Sequence, residues 1–90
     1  MPKPPDPEFA RASGLNLLAA RRKSGLSQRE LGERAGLHRK TIAQFELGRQ
    51  TMMAETLFKL AGALGIEPAV LLDGIPPWNP FEHRFEFDGP

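Results

Sequence analysis

Apolar residues recur along this chain in short blocks at helical spacing. The clearest is Leu57, Leu60, Ala61 and Leu64, at i, i+3, i+4 and i+7, which predicts an amphipathic helix ending near Gly65. The stripe lasts under two heptads, so it suits packing against neighbouring helices better than a zipper. Upstream, Leu15, Leu17, Leu18 and Ala20 mark a first helix running to about Ser24, with Gly25 as its terminator. Two starts suit it: Asp6 capping Pro7 and Glu8, or Ser13. Between these blocks lie two shorter periodic segments, Leu31 with Ala35 and Ile42 with Phe45. Pro68 can open a brief fifth helix, Pro68 to Asp73, whose Val70, Leu71 and Leu72 close the core or face a partner. The pattern is lost from Gly74 onward, where prolines, Trp78, Phe81, Phe85 and Phe87 are scattered among charges. Phe81, His83, Phe85 and Phe87 fall on one side of a short strand if one forms. One strand cannot stabilise itself. It calls for an edge from a second subunit or another protein, unless the aromatics fold back on the helical core.

The two middle segments carry the chemistry. Ser27 is placed to cap the first of them, and Glu30, three residues on, completes a capping box, with Leu26 and Leu31 at the positions of a hydrophobic staple. Gly36 suits the left-handed turn that ends it. A second helix follows at once, from about Leu37-His38 to Leu47. Ile42 and Phe45 face inward, and His38, Arg39, Lys40, Thr41 and Gln44 face outward. Arg and Lys donate to guanine O6 and N7, and Gln makes a paired contact with adenine, so this outward set suits a DNA major groove.

With Arg21, Leu26-Ser27-Gln28, Leu31, Ala35-Gly36-Leu37, Ile42, Glu46, Gly48-Arg49, Leu57, Leu60-Ala61 and Leu64-Gly65-Ile66 at their present spacing, the chain resembles the Cro/C1-type (XRE) helix-turn-helix family from about Leu15 to Leu72. The resemblance implies an all-α, five-helix, lambda-repressor-like DNA-binding domain over residues 13–73, after a flexible arm at 1–12. The Pro/aromatic extension at 74–90, with room for one short β-strand, lies outside it. By position the resemblance implies base contacts from His38, Arg39, Lys40 and Gln44, and phosphate contacts from Gln28 and Arg49, to which Arg29 and Thr41 are expected to add. Two alternatives stand: Lys40 on a phosphate, and His38 only as a helix cap. Arg21 and Glu46 match a structural ion pair joining the first helix to the end of the third. The chain departs from the family at Thr51-Met52-Met53-Ala54, where Met52 and Met53 either fill the core or enter a subunit interface. It departs again at Ala20, a small residue that leaves space for the tail aromatics.

Composition narrows the function further. A chain of 90 residues has room for one domain, and one of this size buries only about 60% of the surface its unfolded form exposes. No apolar run approaches the roughly 20 residues that span a bilayer, the start MPKPPDPEF carries no secretory h-region, and there is no cysteine, so a soluble cytoplasmic protein is expected. The net charge of +1 hides a division. Residues 11–49 hold nine Arg and Lys against three Glu, net +6, and the remainder is net −5. Basic charge thus gathers where DNA would lie. Two histidines 45 residues apart, with no nucleophile or nucleotide-binding motif, give no support for an enzyme, a metal or a cofactor. The expected partners are double-stranded DNA and a second copy of the chain. The principal reading is a homodimeric repressor on a palindromic operator. The alternative is an antitoxin or accessory subunit that also regulates its own operon and holds a protein partner through residues 75–90.

Overall fold

The computed structural model describes residues 6–88 and is mostly helical. Helix α1 spans Pro7–Lys23, α2 Gln28–Ala35, α3 Arg39–Glu46 and α4 Ala54–Leu64. The fifth helix is a 3-10 turn, Pro68–Leu72, rather than an α-helix, closed by bonds such as Val70 N–H to the Glu67 carbonyl at 3.0 Å. It buries Leu71 alone and leaves Val70 and Leu72 exposed. Among the described residues no helix is long and apolar enough to cross a membrane.

Of the two starts the sequence offers for α1, the structure uses Asp6, whose carboxylate accepts the Phe9 N–H at 3.0 Å with Pro7 in the first helical position. Residues 7–12 are therefore helix, not arm, and residues 1–5 lie outside the described residues. Ser13 is mid-helix, with its hydroxyl bonded back to the Phe9 carbonyl at 2.9 Å. The buried face of α1 is Ala10, Ser13, Gly14 and Leu17, and Leu15 is half exposed.

The core gathers Leu17 from α1, Leu31 and Ala35 from α2, Ile42 and Phe45 from α3, Leu57, Leu60 and Ala61 from α4, and Leu71. Leu26 and Met52 pack against it, whereas Met53 is exposed and starts α4 without a side-chain cap. At the turn between α2 and α3, Gly36 takes φ 72°. A Cβ at Gly32 would stand 2.5 Å from the Leu37 carbonyl oxygen, so the close seat of that turn on α2 requires glycine there. Asn16 ties the other end of the fold together, donating to the carbonyls of Leu71 at 3.1 Å and Asp73 at 2.8 Å.

The tail finds its strand partner within itself. Trp78–Asn79 pairs antiparallel with Arg84–Phe85, in the register Trp78 with Phe85 and Asn79 with Arg84. Asn79 Oδ1 accepts from Phe81 N–H at 2.9 Å and Glu82 N–H at 3.0 Å, and His83 adopts φ 53°, which reverses the chain. Phe81 therefore sits in the turn, 92% exposed, and not on one strand face with Phe85 and Phe87. Phe85 packs on Phe9 of α1 with ring centroids 5.0 Å apart and meets Trp78 edge-on at 5.2 Å. These rings lie by the start of α1 and do not fill the space beside Ala20. That space is an open groove of about 560 Å³ lined by Ala19, Ala20, Ile66 and Val70 among others.

Candidate nucleic-acid interface

The expected capping box forms in full. Ser27 Oγ accepts from Glu30 N–H and Glu30 Oε1 accepts from Ser27 N–H, both at 3.0 Å. These bonds hold the Glu30 carboxyl below its ordinary pKa, the backbone bond from Ser27 contributing most. The box uses the N–H groups of Ser27 and Glu30. Those of Gln28 and Arg29 have no acceptor among the described residues. The positive end of α2 thus presents free donors, the arrangement that favours an anion.

Helix α3 starts with an unusual cap. His38 Nδ1 accepts from Lys40 N–H at 3.0 Å, which places the proton of the neutral ring on Nε2. Of the two roles offered to His38, capping is thus filled, and Nε2–H has no acceptor among the described residues. Arg39 and Lys40 are exposed in the first turn, Thr41 and Gln44 are half buried beside them, and Arg49 is exposed just beyond the helix. Arg39 also lines, with Arg21, Ser27, Gln28 and Arg29, an open depression of about 600 Å³ between the starts of α2 and α3. Arg29 and Arg39 therefore share one concave surface with the start of α2, while Arg21, which also lines it, is paired to Glu46.

Two of the expected phosphate ligands are engaged within the protein. Arg29 Nε pairs with Glu33 at 3.3 Å along α2, with both side chains mostly exposed, so the pair is weak and open to exchange. Gln28 Nε2 donates to Glu46 Oε1 at 3.0 Å. Nothing in the sequence pattern marked that bond, because it joins residues 18 apart on different helices.

The ion pair expected from the sequence is present and mostly buried. Arg21 Nε meets Glu46 Oε2 at 2.6 Å and its NH2 meets Oε1 at 3.0 Å, a two-pronged contact with the side chains 13% and 5% exposed. Arg21 NH1 also donates to the Leu26 carbonyl at 2.8 Å. The hydrogen bonds to Glu46 raise the Arg21 pKa against the opposing effect of burial. One guanidinium thus ties α1 to the entry of α2 and the end of α3, and so fixes the angle at which α3 is presented.

A family model described as helix-turn-helix matches residues 17–71. The HTH-type transcriptional regulator y4dJ of Sinorhizobium fredii, itself uncharacterised, is 36% identical over 59 residues, or 66% of this chain and 77% of that protein. The structure of the restriction-modification controller protein C.AhdI from Aeromonas hydrophila superposes with a TM-score of 0.69 at 34% identity, covering 71% of this chain and 93% of that one. The P22 c2 repressor, solved in complex with a synthetic operator, gives 0.64 at 32% identity, covering 69% and 94%.

Proposed function

The chain belongs to the Cro/C1-type helix-turn-helix family, and on that premise we propose that it is a homodimeric repressor that reads a two-fold symmetric DNA operator through the exposed face of α3. The observation that carries this reading is the shared basic surface at the starts of α2 and α3. Arg39 and Gln44 read base edges, each able to make two directional bonds to one base. Lys40 and the Nε2–H of His38 add to that set. Gln28, Arg29, Thr41 and Arg49 hold phosphates and so set the position of the helix without reading sequence.

A second copy places two α3 helices on successive turns of DNA, about 34 to 36 Å apart. Phe58, Val70 and Leu72, exposed on α4 and the 3-10 helix, supply apolar surface for that pairing. The protein acts in the cytoplasm, beside its DNA. Folding of the tail onto α1 gives no support to the antitoxin reading, and the exposed Phe81 is the feature of the tail open to a protein partner.

The test is selection of bound duplexes from a random library, with affinities then measured on the selected and on random DNA. The wild type should recover a two-fold symmetric motif. Gln44→Ala should lose about 1 to 3 kcal/mol of preference at one position per half-site while holding random DNA unchanged. Arg49→Ala should weaken all duplexes alike and reduce the salt slope by about one per subunit. Failure of the wild type to enrich any motif would overturn the reading.

A further inference from the structure

The Glu46 carboxylate has three donors, and the third is not needed for an ion pair. Oε2 takes Arg21 Nε, while Oε1 takes both Arg21 NH2 and Gln28 Nε2, each at 3.0 Å. A carboxylate can only accept, so it dictates the sense of the Gln28 amide: the nitrogen must turn toward Glu46 and the oxygen away. One N–H of that amide is then spent on Glu46. The other has no acceptor among the described residues, and Gln28 lines the depression where the free N–H groups of α2 lie.

We propose that Glu46 is a positioning residue for DNA binding, holding the Gln28 amide so that it offers its second N–H, and not its oxygen, to a backbone phosphate at the start of α2. This rests on the DNA-binding reading above. Without Glu46 the amide is free to reverse, and in one of its two senses it presents an acceptor to an anion. Restoring the productive sense then costs rotamer freedom at the moment of binding. Arg21 has a part in this too. By pairing with Glu46 it cancels a negative charge that would otherwise stand beside the phosphate. The pair that braces α1 against α3 is in this way also connected to a DNA contact on α2.

A double-mutant cycle with Glu46→Gln and Gln28→Met tests the proposal, read as affinity for the duplex that the wild type selects from a random library, with thermal unfolding followed in parallel. A glutamine at position 46 whose oxygen stays on Arg21 Nε, in the place of Oε2, puts its amide nitrogen where Oε1 meets Gln28 and so reverses the Gln28 amide. Binding should weaken roughly three- to tenfold. The sign is informative, because removing a negative charge near DNA should by itself tighten binding. In the Gln28→Met background the same change at 46 should cost clearly less, leaving only the effect of the Arg21 pair on α3. Glu46→Asp keeps the charge for Arg21 but shortens the reach to Gln28. It should show the same dependence on Gln28 and serves if Glu46→Gln does not fold. Equal losses in both backgrounds, or unchanged or tighter binding by both Glu46→Gln and Glu46→Asp in the presence of Gln28, overturn the proposal and leave the DNA-binding reading standing. If the wild type selects no duplex, that reading falls and this proposal with it.

Discussion

At the scale of single residues, the groups easiest to read in the sequence were those whose partners lie close along the chain or are shared with a family. The Ser27–Glu30 box is a four-residue spacing with one physical solution, and it forms as expected. The Arg21–Glu46 pair, 25 residues apart, was legible only through the resemblance. The Gln28 bond to Glu46 was not legible by either route, because position 28 had already been given a role toward DNA and a glutamine at a helix start is ordinary on a polar surface. The box itself carries a pH dependence. Glu30 has its folded-state pKa lowered by the Ser27 bonds, so its contribution to stability is present above the unfolded value and is lost as pH falls through the folded one. Glu30→Ala should therefore unfold at a lower temperature than the wild type at neutral pH, and the gap should close in acid. Thermal melts across that range decide the matter, and a gap that does not narrow would remove the charge on Glu30 as its source.

At the scale of elements, the sequence placed four of the five helices within a few residues but left the buried face of the first unmarked. Its apolar residues Leu15, Leu17 and Leu18 do not outline the buried stripe, which is Ala10, Ser13, Gly14 and Leu17, at i, i+3, i+4 and i+7. A serine and a glycine on that stripe hide it from any count of apolar residues. They are there because α1 lies against α3 with little room: a Cβ at Gly14 would collide with the Phe45 carbonyl oxygen. Gly14→Ala sets two effects against each other. Helix propensity favours alanine by about 1 kcal/mol, and the forced separation of α1 from α3 costs about 1 to 3 kcal/mol or more, since the obstacle is backbone and cannot rotate away. The clash should win, lowering Tm by several degrees at about 4 to 8 °C per kcal/mol for a domain of this size. Gly62→Ala is the control, in α4 with nothing within 4 Å of the added carbon, and it should raise Tm. A gain at both positions would mean that α1 and α3 are not so closely packed.

At the scale of the whole molecule, the helical bundle and the tail were legible to different degrees for a physical reason. The matched family model ends at residue 71, and the tail strands are two residues each, too short to leave an alternating pattern. An isolated hairpin of that size is marginal in water, so its order must come from what it packs against. The rings say what that is: Phe85 bridges Phe9 on α1 to Trp78 and Phe87, at 5.0, 5.2 and 6.3 Å. Capping by Asp6, which carries α1 out to Phe9, is thus what gives the tail a surface to fold on, and the first turn of α1 and residues 78–87 should order together. Trp78 is the sole tryptophan and reports on this directly. Phe85→Ala should shift its emission to the red and leave cooperative unfolding of the core, followed by far-UV circular dichroism, within about 1 to 2 kcal/mol of the wild type, the order expected for part of one half-buried ring. Phe9→Ala should produce the same shift, and the double variant little more, because either change alone breaks the Phe9–Phe85 contact between tail and α1. Additive shifts would mean that Trp78 senses the two rings independently, and no shift with Phe9→Ala would mean that the hairpin is held by something other than α1.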